Sequence, residues 1–224
     1  TSLPEASEPV TGLSYADLLS QVFGVDVEEL VARTRDDVAE LERQMELLAK
    51  EINPGKTAAQ ILKEDNTPYE SAERMLEAMR EMVTLTRSMT AAMIDLPEGD
   101  QCRVELVPPH LEHLFPWGGY SGPDSLAGHR VGTCYINGSN YQSISRGWLM
   151  NMALHEAYPG HHTQWVCASV EGIPLTARLT QLYSRGSHAC EGMAHRSEKV
   201  FQDIYGDPTF PLFVLYRQMH TAVR

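Results

Sequence analysis

His155-Glu156-Ala157-Tyr158-Pro159-Gly160-His161-His162 is the stretch on which the reading of this chain turns. It places three imidazoles and a carboxylate close together, and an acidic segment, Glu191 to Glu198, follows downstream. Two His and one Glu are what a catalytic zinc ion takes from a protein when a fourth position stays open for water. A Glu directly after the first His is the usual general base of metal-assisted hydrolases.

The spacing is unusual. In an H-E-x-x-H helix the two His stand four apart and share a face. Here the fourth residue after His155 is Pro159, which offers no ligand atom. On an undistorted helix His162 would return to the face of His155 while His161 pointed elsewhere. Pro159, however, removes a helical hydrogen bond and clashes with the carbonyl of residue 155. Gly160 makes an unusual backbone conformation cheap. A bulged or broken helix is expected there. Residue physics leaves both His161 and His162 open as the second ligand. The alternative without a metal is a polar helix end whose His side chains cap carbonyls.

The chain resembles the bacterial family called domain of unknown function 885, which looks like a divergent branch of the zincin metallopeptidases. That family is marked by HExxPGHH-x-Q and a later EGWA-x-x-x-E; this sequence reads HEAYPGHHTQ at 155–164 and EGMAHRSE at 191–198. A tyrosine and an asparagine in a strand before the metal helix are matched by Tyr135 and Asn137. The upstream helices and Val107-Pro108-Pro109 also fit, so the resemblance runs from about Ser14 to the C-terminus.

The resemblance implies a mainly α (α+β) fold: a zincin-like helical metallopeptidase domain with a small β-sheet beside the metal helix. It implies zinc as cofactor, held by His155, His161 and Glu191, with Glu156 as general base. Glu198 would orient a ligand His by accepting its other N–H. The strand at 131–137 would bind substrate backbone, with Tyr135 donating to a developing oxyanion; an ordinary strand tyrosine is the alternative. Asn137 and His162 would stand around the ligands or against substrate. Met193 replaces the usual Trp, and His195 and Arg196 replace an apolar and an aromatic residue. His195, four residues after Glu191, is placed to line the pocket or to compete as a ligand.

Composition sets the outer bounds. The 224 residues suffice for one sizeable domain or two small ones. With 42% hydrophobic and 21% charged residues the chain reads as globular. The net charge of −12, from 18 basic and 30 acidic residues, argues against nucleic-acid binding, which needs a basic footprint. Cys102, Cys134, Cys167 and Cys190 form no C-x-x-C pair. They suit free thiols in a reducing compartment, with two disulfides in a secreted form as the alternative. No apolar run approaches a membrane span and no signal peptide is visible, so the expected location is cytoplasmic, a secreted or envelope form being the alternative.

Residues 1–13 read as a polar tail or linker and 14–224 as a single domain. Helices are expected at 15–23, 26–52 and 57–62. A longer one starts at a capping box, Thr67-Pro68-Tyr69-Glu70, and runs to Ile94. Its methionines read as packing filler. Strands are expected at 101–107 and 131–137; between them 108–128, with Phe115, Trp117 and Tyr120, reads as an ordered loop over the active site, an ordinary surface connection being the alternative. Helices at 143–158, 161–171, 174–199 and 209–222 complete the reading.

The expected function is zinc-dependent hydrolysis of a peptide or small amide substrate, with Glu156 activating water. A metalloenzyme acting on a non-peptide small molecule, and a non-catalytic helical interaction module with a degenerate site, are the alternatives. No G-x-S-x-G motif competes. The last helix carries Phe210, Leu212, Phe213, Leu215, Tyr216 and Met219, then ends without a Gly cap. Together with the resemblance, this suggests a segment of a longer protein whose remainder, or a second chain, completes the site.

Overall fold

The computed structural model describes residues 12, 14–65, 68–124, 127–180 and 187–223. Most of the tail at 1–13 lies outside them. The described chain is mainly helical with one small sheet. Helices α1 (Tyr15–Phe23), α2 (Val27–Ile52), α3 (Ala58–Asp65) and α4 (Ala72–Ala91) come first. Strands β1 (Gln101–Leu106), β2 (Gly118–Ser121) and β3 (Val131–Ile136) occupy the middle. Helices α5 (Arg146–Met152), α6 (His161–Ala168), α7 (Leu175–Thr180), α8 (Ser187–Phe201) and α9 (Phe210–Val223) follow.

Local chemistry sets the early boundaries. Ser14 and Asp17 form a reciprocal capping box on α1, which ends at Gly24 in the left-handed region at φ 66°. The Asp26 carboxylate accepts from the amides of Glu28 and Glu29 at 2.9 and 3.0 Å and starts α2. Helix α4 does not start at the expected capping box. Its cap is Ser71, whose hydroxyl accepts from the Arg74 amide at 3.2 Å. The Tyr69 amide instead donates to the Tyr141 carbonyl at 3.0 Å, which holds residue 69 outside the helix. Thr67 itself lies outside the described residues. The continuous helix expected over 174–199 corresponds to α7 and α8, and 181–186 between them lies outside the described residues as well.

The sheet order is β1-β3-β2, with β1 parallel and β2 antiparallel to β3. Strand β2 corrects the expectation of a loop over 108–128. Gly118-Gly119-Tyr120-Ser121 lacks the β-branched residues that signal a strand; pairing with β3 overrides that weak propensity. Strand β3 is therefore central, and over Thr133–Ile136 both its edges are hydrogen-bonded. The edge beside the histidines belongs to β2.

Alternation divides the sheet into two faces. Cys102, Val104, Gly132, Cys134, Ile136 and Tyr120 share one of them by register. That face shares the main core with Met75 and Met79 of α4, Leu149 of α5 and Leu154 just beyond it. A smaller cluster joins Met45, Ala49, Ala58 and Ile61 to Leu212. Helix α9 serves both, burying Phe210 and Phe213 in one and Leu212 in the other. Its apolar face thus finds partners within this chain. Helix α1 buries no side chain, and α2 buries only Met45 and Ala49, near its C-terminal end. All four cysteines are free thiols. Burial pushes the Cys102 thiol up to about 12 and Cys134 well above its ordinary value, which removes both as nucleophiles.

Candidate metal centre

The expected distortion after α5 is a π-helical turn, Ala153–Ala157, closed by the Tyr158 amide donating to the Ala153 carbonyl at 3.0 Å. The chain then passes through a cis Tyr158–Pro159 bond and restarts as α6 at His161. Only glycine fits at 160. A Cβ there would sit 1.9 Å from the carbonyl oxygen of His155 and 2.5 Å from that of Leu154. This tight return brings His155 and His161 together, with ring centroids 4.8 Å apart.

Helix α8 faces them with carboxylates. The two Glu191 oxygens lie 3.3 Å from His155 Nε2 and 3.5 Å from His161 Nε2. On the other side of the His155 ring, Nδ1 meets Glu198 Oε1 at 2.7 Å. Glu198 is fully buried, and the same oxygen lies 3.3 Å from His195 Nδ1. His155, Glu156 and His161 offer donor atoms all within 4.8 Å of one another; so do His155, His195 and Glu198. In the second group, however, His155 Nδ1 and Glu198 Oε1 are already spent on each other.

The electrostatics follow from burial and partners. Burial alone would push His155 down; its hydrogen bonds with Glu191 and Glu198 outweigh that and carry it up to about 10. The hydrogen bonds from His155 and His161 hold Glu191 well below the carboxylate range. Burial would raise Glu198, but its His155 and His195 partners bring it to about 2. Burial raises Glu156, against the opposing pull of His155 and His161. A carboxylate raised in this way suits a general base.

His162 belongs to a different network. It is fully buried, with Nδ1 hydrogen-bonded to the Tyr120 hydroxyl at 2.8 Å and Nε2 3.9 Å from Asp100 Oδ2. Asp100 also accepts from Tyr158 at 2.6 Å and pairs with Arg87 at 2.8 Å. Tyr120 reaches His162 across Gly132, where a Cβ would lie 2.1 Å from its hydroxyl. Burial lowers His162 to about 4, so it is neutral at physiological pH. His161→Gln is therefore expected to lose bound zinc, whereas His162→Gln keeps it and lowers stability. Elemental analysis and thermal melting of both variants check this, and loss of zinc in His162→Gln alone would reverse the assignment.

Two expected residues are displaced. Tyr135 pairs with Gly119, next to the Tyr120–Cys134 pair, so alternation turns it to the sheet face away from the histidines. It lines a separate cavity with Leu111 and Phe115. Asn137 is buried and spends its amide on the chain itself. It donates to the Glu112 and Phe115 carbonyls, both at 3.1 Å, and accepts from the Ser139 amide at 2.9 Å. It fastens the loop before β2 and does not face the cleft.

The cleft has other walls. A cavity of about 120 Å³ is lined by Trp117, Gly118, Trp148, Asn151, Met152, His155, Glu156 and Arg217. Of these His155 and Glu156 carried a chemical signal, and Trp117 stood among the aromatics of the loop expected over the site. Trp117 and Gly118 lie in the segment read as a loop, and Arg217 lies on a helix read only for its apolar face.

The model of the family described as "Bacterial protein of unknown function (DUF885)" matches residues 5–224. The chain belongs to this family. The crystal structure of the "putative lipoprotein from Colwellia psychrerythraea" is similar to it, with a TM-score of 0.76 at 22% identity. The match covers 93% of this DUF885 chain and 37% of that one, so this chain spans well under half of that protein's length. The likeness shows a shared fold. The comparison with curated proteins finds no match. Among the described residues of this DUF885 member, no helix is long and apolar enough to cross a membrane.

Proposed function

We propose that this chain holds the metal centre of a zinc-dependent hydrolase of peptide or related amide bonds. The observation that carries the reading is the convergence of His155 Nε2 and His161 Nε2 on the two oxygens of Glu191. Tetrahedral zinc with bonds of 2.0–2.2 Å separates its ligand atoms by about 3.4 Å. The observed separations of 3.3 and 3.5 Å, each to a different Glu191 oxygen, set one carboxylate against both imidazoles. The 2.7 Å contact of Glu198 with the far side of His155 is the partner a ligating imidazole needs to fix its tautomer. Two His and one carboxylate leave a position for water.

When bound there, zinc lowers the pKa of a coordinated water and polarises the scissile carbonyl. Glu156 takes a proton from the attacking water onto its carboxylate as the new C–O bond forms. It then delivers that proton to the departing amine nitrogen as the C–N bond breaks. Burial, which raises its proton affinity, fits both halves of this relay. Edge strand β2, entering the cleft at Gly118, takes over from β3 the part of substrate-backbone partner.

The small cavity also favours a second reading, hydrolysis of a compact non-peptide amide. A panel of short peptides and acyl amino acids separates the two. The lipoprotein name of the structural neighbour supports a cell-envelope location over a cytoplasmic one.

The first test is metal content. About one zinc per chain is expected after zinc-supplemented purification, with affinity lowered in Glu191→Gln. A wild-type chain that takes up no transition metal would sink the proposal and favour a non-catalytic helical module.

A further inference from the structure

The centre is rich in carboxylates, Glu156, Glu191 and Glu198, in a chain of net charge −12. One cation enters the same cavity. Arg217 comes from α9 and lines it together with His155 and Glu156. Its guanidinium carbon lies 5.4 Å from the centroid of the Trp148 ring. One of its amino groups donates to Thr221 Oγ1 at 2.6 Å. A guanidinium has five N–H donors, so most remain for other partners. No ion pair joins Arg217 to a carboxylate among the described residues. Asn151, also lining the cavity, is 2% exposed, and its side-chain oxygen has no hydrogen-bond partner. Such a group is costly unless something else supplies the bond.

We infer that Arg217 is a specificity residue that anchors a substrate carboxylate beside the metal position, an inference that rests on the hydrolase reading above. The planar fork of Arg matches a carboxylate in two parallel hydrogen bonds, and stacking on Trp148 holds the fork in place. The unpartnered Asn151 oxygen then accepts an N–H of the same ligand. A cavity of about 120 Å³ has room for a carboxylate and a short stem beside Arg217. The substrate class is therefore an amide with a carboxylate close to the scissile bond. Its source is either the C-terminus of a short peptide or an acidic side chain next to the cleaved bond.

Binding can be read without turnover. The zinc-loaded protein is titrated calorimetrically with three dipeptide mimics, each tipped with a zinc-binding hydroxamate. One ends in a free carboxylate and one in a carboxamide; the third carries a carboxamide terminus and a glutamate side chain. The free acid is expected to bind about tenfold to a hundredfold tighter than the amide, as for a charge-assisted pair. The third mimic tells a terminal carboxylate from a side-chain one. Arg217→Met should abolish the preference while keeping zinc content and folding, and Arg217→Lys should retain part of it. Equal binding of acid and amide by the wild type overturns the inference. So does a preference that survives in Arg217→Met, or a loss in that variant that is equal for both mimics, which would make Arg217 a packing group. A preserved acid preference without hydrolysis of any amide would remove the hydrolase reading and leave the carboxylate anchor standing. A protein that binds no zinc removes both.

Discussion

Glu156→Gln will keep its zinc and lose turnover by about 10²- to 10⁴-fold, the usual contribution of a general base. The two effects separate because Glu156 lies beside the ligands without being required among them. On the proposed assignment His155, His161 and Glu191 are the ligands, the two imidazoles lying 3.3 and 3.5 Å from the Glu191 carboxylate. The amide of Gln occupies the same space and keeps hydrogen bonds in the cleft, but it cannot take a proton from water. Measuring zinc content and kcat on the same preparation is the decisive comparison. Full hydrolysis by the zinc-loaded Gln variant would show that another group moves the proton. Loss of zinc would instead make Glu156 a ligand.

The second large effect is on metal uptake as a function of pH. Without metal, His155 carries two N–H groups, one toward Glu191 and one toward Glu198, and titrates at about 10. Zinc held as proposed would replace the proton on Nε2, and the proton on Nδ1 would stay with Glu198. Each zinc bound near neutral pH must therefore release this proton, and affinity should rise about tenfold per pH unit between pH 7 and 9. The sign also holds for folding. A His raised from 6.5 to about 10 contributes stability to the metal-free protein that is fully present below 6.5 and lost as pH rises through 10. Metal-free protein should therefore lose melting temperature between pH 7 and 10, and zinc-loaded protein should not lose this part. Calorimetry in buffers of different ionisation enthalpy counts the protons. A zinc affinity flat across this range would show that His155 is already neutral.

The helix distortion was legible in the residues themselves. Pro159-Gly160 announced the break that appears as a π-turn and a restart at His161, beside the His-Glu pair on which the metal proposal rests. The choice between His161 and His162 was not legible, because it depends on where the chain goes after Gly160 and on what stands behind α6. There Tyr120, Asp100 and Tyr158 claim His162. Tyr135 shows the opposite case. Its strand was readable, but the face it turns to was not, because that depends on a partner strand of Gly-Gly-Tyr-Ser that carries almost no strand signal. Arg217 was invisible for a third reason: a lone cation on an apolar helix gains meaning only when tertiary packing brings it beside Glu156.

The uneven burial along α2 has a consequence for how the molecule opens. Its first half holds Leu30 and Val31 exposed, after an α1 that buries nothing, whereas Met45 and Ala49 lock its last turns to α9. Backbone amides there are held only by local helix formation at one end and by the shared core at the other. Hydrogen–deuterium exchange should thus record a gradient within this one helix, from near-instant labelling around residue 30 to slow exchange around residue 49. The tip unzips many times for each opening of the shared core, so one end of this helix breathes while the end packed on α9 stays shut.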